Sequence, residues 1–342
     1  MLRLLPICCC LFFAFAGKGW GQLSAKSTRL LFYNVENLFD TQSSPGKADF
    51  EFSPGSDKQW DNQKYTRKLD DIARVLSSAT AGDWPGLVGL CEIENRTVLD
   101  DLVARKALSR AGYAIVHRDS RDRRGIDVAL LYRKPLFSLL STRNIEVGET
   151  AKARGSAREM LYAKMVSLPD DTLHLFVAHW PSRTEGEAQT EAKRVVAAKA
   201  LRQQVDSLFG RNRSAKIIIM GDLNDEPSNL SVHQHLAAKA PKSKFEPAKL
   251  YNLMQPADGR GEGTLYHNGQ FLMFDQIIVS GPTIDSRKGW GAVPQTATIF
   301  RQPWMEYRNP KGRTVPNRTY VGNRYTGGIS DHFPVVVELR RR

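Results

Sequence analysis

Residues 217–224 read Ile-Ile-Ile-Met-Gly-Asp-Leu-Asn, an apolar run that ends in an acid and an amide. A short run of β-branched and long apolar side chains bounded by polar residues is typical of a buried strand. The same pattern recurs along the chain, separated by turn-forming or charged segments. We therefore predict strands over Leu30–Val35, Leu87–Cys91, Val128–Tyr132, Met160–Val166, Leu173–Ala178, Ile217–Met220, Phe271–Val279 and Val335–Leu339.

Helical patterns lie between some of these strands. Apolar residues repeat on one helical face in Tyr65–Leu76, Val98–Leu108 and Glu187–Leu208. Adjacent strands such as 160–166 and 173–178 are spaced like hairpins, and no strict strand–helix–strand period is present. We predict an α+β fold, a four-layer sandwich in which two packed, mainly antiparallel sheets are flanked by helices.

The composition indicates a folded, basic protein. The chain has 342 residues, of which 41% are hydrophobic and 25% charged, which excludes an intrinsically disordered chain. No linker-like segment divides it, so we predict one domain over residues 22–342. Lys and Arg total 49 against 36 Asp and Glu, a net charge of +13. This balance favours a polyanionic partner, whether nucleic acid, an anionic membrane surface or a phosphorylated small molecule.

The first 21 residues have the pattern of a signal peptide. Arg3 precedes an apolar run, and small residues follow at Ala14 and Ala16. Cleavage would leave Cys91 as the single cysteine of the mature chain, and no second segment could anchor it in a membrane. We therefore expect an exported, monomeric protein in the periplasm or extracellular space.

Polar side chains stand at the ends of most predicted strands. Strand ends at one edge of a sandwich converge in space, so these residues can form one pocket. Oxygen ligands of this kind suit Mg²⁺, Mn²⁺ or Ca²⁺, whereas any one of them alone could equally form a turn. The oxygen-bearing residues of this set are Asn34, Glu92, Asp222, Asn224, Asp275 and Asp331.

Two histidines belong to the same pattern. His179 ends a strand, and His332 directly follows an acid, which is the setting in which an imidazole can exchange a proton near neutral pH. The other histidines have no such setting, and we interpret them as structural. They are His117, His174, His233, His235 and His267.

Taken in order, these motifs resemble those of the endonuclease/exonuclease/phosphatase superfamily. The resemblance spans about residues 29–340, and the Gly-Asp-x-Asn and Ser-Asp-His-x-Pro-Val pieces are specific when they occur together. The pieces are FYNVEN (32–37), LCEIEN (90–95), VAHW (177–180), MGDLND (220–225), FDQI (274–277) and SDHFPV (330–335).

The resemblance implies a role for each site residue. Glu92 with Asn34 would hold the catalytic divalent ion, while Asp222 and Asn224 would position the attacking water and the phosphate. His332 would act as a base with Asp331, His179 would donate to the phosphoryl oxygen or leaving group, and Asp275 would orient a ligand or the second histidine. Cys91 departs from the family, which usually has Gln there, and Glu94 is an alternative metal ligand to Glu92.

Stretches of sequence longer than these motifs resemble an exported, endonuclease-type bacterial branch of the superfamily. They direct attention to Arg124 and Arg183 as phosphate-binding residues and to Asp127 as a residue that orients His179 or simply begins a strand. The expected chemistry is metal-assisted hydrolysis of a phosphate ester by water, with Mg²⁺ the first choice of metal. A Ser or Cys nucleophile is disfavoured, since no Gly-x-Ser-x-Gly turn surrounds Ser182 or Ser330.

The substrate prediction depends on residues 300–326, called here the 300–326 segment. It carries six Arg or Lys residues and one acid, interleaved with aromatic residues, a composition that suits the phosphates and bases of DNA or RNA. A sphingomyelinase-like enzyme that touches membranes with 300–305, and an inositol-phosphate-type phosphoesterase, remain alternatives. So does a non-catalytic exported binding protein on the same fold.

Overall fold

Two β-sheets lie face to face at the centre of the molecule. The computed structural model describes residues 26–80, 82–148, 158–167 and 171–342, so the predicted signal peptide lies outside the described residues. In chain order the strands are β1 (Ser27–Leu38), β2 (Leu87–Ile93), β3 (Tyr113–His117), β4 (Asp127–Arg133), β5 (Ser138–Ile145), β6 (Met160–Ser167), β7 (Asp171–His179), β8 (Lys216–Asp222), β9 (Ala238–Lys239), β10 (Leu250–Asn252), β11 (Leu265–His267), β12 (Gln270–Leu272), β13 (Asp275–Ser280), β14 (Trp290–Ile299), β15 (Glu306–Arg308), β16 (Thr314–Pro316), β17 (Tyr320–Val321), β18 (Arg324–Tyr325) and β19 (Val335–Arg341).

The first sheet has the order β14-β19-β1-β2-β4-β3, and the second has the order β5-β6-β7-β8-β13-β10-β9. Most neighbours are antiparallel, but β1 and β2, β7 and β8, and β9 and β10 pair in parallel. Each sheet therefore carries two central strands whose carboxyl ends point the same way, which is the arrangement that gathers the polar ends of strands at one edge.

Helices cover both outer faces and complete the predicted four layers. One cluster of buried side chains lies between the sheets, a second between the first sheet and α1 with α2, and a third between the second sheet and α3. Among the described residues, no helix combines the length and apolar character needed to cross a membrane. The helices are α1 (Asn62–Ser78), α2 (Arg96–Ala104), α3 (Glu187–Arg211), α4 (Gln255–Asp258) and α5 (Gly281–Ile284), with single turns of other helix types at Phe50–Phe52, Ser231–His235 and Pro303–Met305.

Most predicted elements extend at their ends by up to about three residues, and two predictions differ by more than that. The predicted strand Phe271–Val279 is two strands, β12 and β13, because the chain leaves a small hairpin before Asp275 enters the second sheet. Helix α2 ends at Ala104 rather than Leu108, since Arg105 adopts an extended backbone conformation that stops the helix.

Candidate active site

Three polar residues stand side by side across the second sheet. The register pairs His179 of β7 with Asp222 of β8, and Asp222 with Asp275 of β13. All three are almost fully buried. The sequence places His179 and Asp222 at the boundaries of apolar runs, and the register of the sheet brings them level with Asp275.

The first sheet contributes Asn34 and Glu92 through irregular backbone. The pairing of β1 with β2 shifts register after Asn34, and the pairing of β2 with β4 shifts between Cys91 and Ile93. Glu92 consequently leaves the ladder with φ of 62°, a left-handed conformation that costs a non-glycine residue free energy. The bulge directs the Glu92 carboxylate to the same edge as Asn34, where Glu92 Oε2 accepts from the backbone N–H of Asn37 at 2.9 Å.

Asn34 joins the two sheets at this edge. Its Nδ2 donates to Asp222 Oδ2 at 3.0 Å and to Glu92 Oε1 at 3.3 Å. Asp222 Oδ1 in turn accepts from the backbone N–H of Asn224 at 2.9 Å, and Asn224 also has a left-handed φ of 49°. The structure thus brings together Asn34, Glu92, Asp222 and Asn224, as the sequence predicts.

Burial disfavours the charged form of two carboxylates in this cluster. Burial, and then the charge of Asp331, raise the pKa of Glu92, and burial is also the main reason that the pKa of Asp222 rises to about 6. Asp275 Oδ1 is buried and has no hydrogen-bond partner. Raised acid pKa values together with an unpartnered carboxylate oxygen fit a site for a hard divalent cation. Glu92 would hold it, with Asp222 facing it, whereas the Oδ1 of Asn34, the second expected ligand, accepts from the backbone N–H of Glu36 at 2.9 Å.

His332 is held by Asp275 rather than by Asp331. His332 Nδ1 lies 2.6 Å from Asp275 Oδ2, whereas Asp331 Oδ1 is 3.9 Å from Nε2 and Asp331 Oδ2 accepts from Arg318. Of the two acids expected to hold His332, Asp275 and Asp331, the geometry therefore selects Asp275. Adjacent residues in a loop diverge, while Asp275 comes from a buried strand that faces the imidazole ring.

The negative charges of the neighbouring carboxylates favour the protonated form of His332. Burial lowers the pKa of His332, but the charge and hydrogen bond of Asp275, with further contributions from Asp222 and Asp331, raise it well above its ordinary value. A cation bound among these carboxylates would offset that field and bring the imidazole toward the neutral form that a general base requires.

His179 contacts Arg158, a residue that no sequence motif singles out. Its Nε2 accepts a hydrogen bond from Arg158, which also donates to the carbonyl of Trp180 at 2.9 Å. Burial, followed by the charges of Arg158 and Arg124, lowers the pKa of His179 well below its ordinary value. A guanidinium can only donate, so His179 Nε2 is the acceptor in this contact, whereas its expected role is to donate at the phosphate.

Arg158 is mostly buried and lies against the same carboxylates. Its pKa is lowered chiefly by burial, and the charges of Glu92 and Asp222 counteract that effect. A buried guanidinium beside a cluster of acids is suited to bind a phosphate oxygen. Arg158 ends no predicted strand and sits in no motif, so only its position next to His179 in three dimensions identifies it.

Two of the residues expected to bind substrate have other partners. Asp127 accepts from His117 Nε2 at 3.1 Å and from the backbone N–H of Ser120 at 3.0 Å, so it does not orient His179. Arg183 donates to the Asn224 carbonyl and to Asp225 at 2.8 Å each, and pairs with Glu187 at 2.9 Å. Its guanidinium is therefore not available to a phosphate.

Arg124 remains a candidate substrate residue. Its side chain is half exposed and lies near enough to lower the pKa of both Arg158 and His179.

Glu94 does not face the cluster, whereas the Sγ of Cys91 lies within 4.8 Å of ligand atoms of His179 and Asp222. Glu94 accepts from the Asp40 backbone N–H at 2.7 Å and from Ser44 Oγ at 3.1 Å, so its side chain lies against the loop that follows β1. The bulge at Glu92 is the reason, because it breaks the alternation that would have put Glu94 on the same side as Glu92. Cys91 is fully buried and burial raises its thiol pKa, so it has the character of a core residue.

Comparison with known proteins identifies the class. The model of the endonuclease/exonuclease/phosphatase family matches residues 29–341, and the chain belongs to this family, whose members are hydrolases of phosphoester bonds. A search of curated protein sequences found no match.

Solved structures with the same fold share few identical residues with this chain. An endonuclease/exonuclease/phosphatase family protein from Bacteroides thetaiotaomicron is 17% identical with a TM-score of 0.58, and the alignment covers 92% of this chain and 95% of that one. The mannosyl-6-phosphatase of the same species is 17% identical with a TM-score of 0.58, over 91% and 99% of the two chains. The human Nocturnin catalytic domain is 17% identical with a TM-score of 0.54, over 93% and 95%. At these identities the likeness establishes the fold.

Proposed function

We propose that the protein is an exported, divalent-metal-dependent phosphodiester hydrolase that cleaves DNA or RNA. The observation that supports this most strongly is the meeting of acids, an amide, two histidines and a buried arginine from both sheets at one edge. Asn34 bridges Glu92 and Asp222, and His332 is bonded to Asp275, within that single cluster.

Each group has a definite role in the proposed reaction. His332, oriented by Asp275, removes a proton from the attacking water, and Arg158 neutralises a non-bridging phosphate oxygen. Asp222 and Asn224 hold the water and phosphate in position. A bound Mg²⁺, which Mn²⁺ or Ca²⁺ could replace, supplies charge neutralisation at the phosphate and the leaving oxygen.

The 300–326 segment supports a nucleic-acid substrate through its charge more than through its aromatic residues. Arg308, Lys311 and Arg313 are exposed and make no ion pair within the described part of the chain. Phe300, Trp304, Tyr320 and Tyr325, by contrast, pack against or within the buried cluster beneath the first sheet. Tyr320 is buried and the other three rings are partly buried, which leaves little aromatic surface for a lipid headgroup layer and argues against the sphingomyelinase-like alternative.

A substrate panel tests the proposal. Purified protein is assayed on plasmid DNA, RNA, sphingomyelin vesicles, inositol phosphates and mannose 6-phosphate with Mg²⁺, Mn²⁺, Ca²⁺ or excess chelator. Cleavage of DNA or RNA that chelator abolishes and Mg²⁺ or Mn²⁺ restores is the expected result, with Glu92→Gln inactive under every condition. Full activity in chelator, or hydrolysis confined to the lipid or the small phosphomonoesters, would contradict the proposal.

Salt dependence tests the role of the exposed cations. Replacing Arg308, Lys311 and Arg313 together by Ala should weaken DNA binding and lower the slope of log K against log salt by about 0.9 for each phosphate that the protein no longer neutralises. Binding is measured by fluorescence anisotropy with chelator present to prevent cleavage. An unaltered slope would place the phosphate-binding residues elsewhere on the molecule.

A further inference from the structure

A pocket of about 360 Å³ opens beside Asp331, on the outer side of the catalytic cluster. The hairpins β11–β12, β15–β16 and β17–β18 form its walls. Its size matches one ring-bearing unit of a larger ligand. Besides Asp331, the lining residues with functional groups include Tyr266, Tyr307, Asn309, Arg318 and Arg324.

Backbone contacts join the pocket walls to the loop that carries His332. The carbonyl of Asn317 accepts from the backbone N–H of Ile329 at 2.7 Å and of Ser330 at 3.2 Å. On the opposite wall, Leu265, next to Tyr266, forms an isolated β-bridge with His332. A group bound in the pocket is therefore held at a fixed position relative to the reacting centre.

The chemistry of the lining is specific. Tyr307 is half exposed, so its ring face is available for stacking. Asn309 Oδ1 accepts from the backbone N–H groups of Lys311 and Arg313, which orients the carboxamide and leaves its Nδ2 as a donor. Rings for stacking, together with amide donors, are the groups with which proteins recognise bases.

The two arginines of the pocket differ in their availability. Arg318 donates to Asp331 Oδ2, while Arg324 is exposed and forms no ion pair within the described residues. Arg324 is separate from Arg158 at the catalytic cluster. Its guanidinium suits a ligand that carries a second anionic group besides the phosphate that reacts. A sugar monophosphate lacks that second group, whereas a polynucleotide carries one on each nucleotide.

We propose that this pocket binds one nucleoside of the substrate strand, adjacent to the scissile phosphate, by stacking on Tyr307 and by contact of Arg324 with the neighbouring phosphate. This inference rests on the proposed nuclease function. It adds to that function a binding site for a single nucleoside, so that the enzyme binds a single-stranded or locally opened strand.

The test compares two substrates of the same reaction. The kcat/KM of the full chain with Mg²⁺ is measured on a short single-stranded oligonucleotide and on bis(4-nitrophenyl) phosphate. Tyr307→Ala and Arg324→Ala should each lower the ratio of the two values on the order of tenfold. Tyr307→Phe should retain most of the ratio because it keeps the ring, and Arg110→Ala, an exposed arginine far along the chain from the pocket, serves as the control. Circular dichroism and Tm establish that each variant is folded.

The outcomes separate this inference from the function on which it rests. If the wild type cleaves oligonucleotides but both variants keep the wild-type ratio, the pocket does not bind the nucleoside and the proposed function stands. If the wild type hydrolyses bis(4-nitrophenyl) phosphate but no oligonucleotide, the proposed function fails, and this inference fails with it. Competition by mannose 6-phosphate that is as strong as competition by a nucleoside 5′-monophosphate would also overturn the pocket assignment.

Discussion

The contact between His332 and Asp275 should control turnover. The carboxylate fixes the imidazole through Nδ1, so Nε2 is the nitrogen presented to the attacking water. His332→Ala should lower kcat by roughly 10²–10⁴, the usual contribution of a positioned acid–base group. Asp275→Asn should lower kcat by a similar factor, since the amide keeps the shape of the side chain but not its charge.

These losses are measured on an oligonucleotide and on bis(4-nitrophenyl) phosphate, because the removal of a proton is common to both reactions. Asp331→Asn is the matched comparison, as it changes the acid next in sequence to His332, which is bound to Arg318. A larger effect of Asp331→Asn on kcat than of Asp275→Asn would restore the pairing that the sequence resemblance implied.

His174 should make the protein less stable in acid. His174 lies on β7, five residues before His179 of the catalytic cluster. Its Nδ1 accepts from the Tyr162 hydroxyl at 2.8 Å. Burial, followed by the charges of Lys164 and Arg211, lowers the pKa of His174 to about 4. The folded state therefore binds a proton less readily than the unfolded state, in which a histidine has a pKa of about 6.5.

The stability contributed by the neutral form of His174 is complete above the unfolded pKa and is lost as the pH falls toward 4. His174→Gln, which retains an acceptor for Tyr162, should consequently lose less stability than the wild type between pH 7 and pH 4. Urea denaturation at several pH values measures the difference. Parallel curves for the two proteins would show that His174 is protonated in the folded state as easily as in the unfolded one.

At the scale of elements, Lys68 of α1 contacts the loop before β19, as does its neighbour Arg67, which donates to the Gly327 carbonyl at 3.2 Å. Lys68 is buried, and its Nζ donates to Thr319 Oγ1 at 2.6 Å and to the Ile329 carbonyl at 3.0 Å. Glu36 Oε2 accepts from the backbone N–H of Thr319 at 2.6 Å, so the same loop is held from β1 as well. This loop leads into Asp331 and His332.

Lys68→Met should therefore weaken the loop and the activity together. Loss of the two hydrogen bonds should cost about 1–3 kcal/mol of unfolding free energy, and hydrogen exchange in residues 317–330 should accelerate. The charge of Lys68 also lowers the pKa of Glu36, which burial raises to about 7, so Lys68→Met/Glu36→Gln should recover part of the loss.

Lys106→Met, at an exposed position outside this network, is the control and should leave stability within about 0.5 kcal/mol of the wild type. Unchanged exchange in the loop after Lys68→Met would mean that Glu36, Arg67 and the backbone hold it without the lysine.

The elements that the sequence predicts are those with apolar runs, and the missed ones lack them. Strand β5 at the sheet edge has mostly exposed or half-exposed residues, so Ser138–Ile145 shows no buried run. Strand β14 contains Pro294 and a register shift between Val293 and Thr298, which interrupts its pattern. Edge strands and bulged strands are stabilised by pairing with a neighbour, which a single stretch of sequence does not record.

The same reasoning separates the predictable part of the site from the rest. Glu92, Asp222, Asp275 and His332 stand next to apolar runs, so the sequence locates them at strand ends. Which acid holds His332 depends on the register between β8 and β13 and on the path of a loop. The contact of Arg158 with His179 joins segments whose approach depends on the whole second sheet.

At the scale of the whole molecule, the site depends on how closely the two sheets approach. The first sheet supplies Asn34 and Glu92, the second supplies Asp222, and the bonds from Asn34 Nδ2 span the gap. Gly89 on β2 lies at a point of close contact between the sheets, where an added Cβ would overlap Met220 Sδ and lie 3.0 Å from Phe32 Cδ2. Met220 and Phe32 are both fully buried in the cluster between the sheets.

Gly89→Ala should therefore destabilise the protein and disturb the site at a distance. Overpacking of a buried contact costs about 1–3 kcal/mol, which should appear as a lower Tm and a lower denaturation midpoint. Because the methyl group pushes apart the strands that carry Glu92 and Asp222, kcat/KM should fall even under conditions in which the variant is fully folded. Gly210→Ala is the control, since nothing lies within 4 Å of a Cβ at that position of α3. Shortening Met220 to Val in the Gly89→Ala background should recover part of both losses, as it removes the sulfur that the new methyl group meets. A Gly89→Ala protein with wild-type Tm and wild-type kcat/KM would show that the sheets tolerate a wider separation and that the geometry of the site is set locally by the bulge at Glu92.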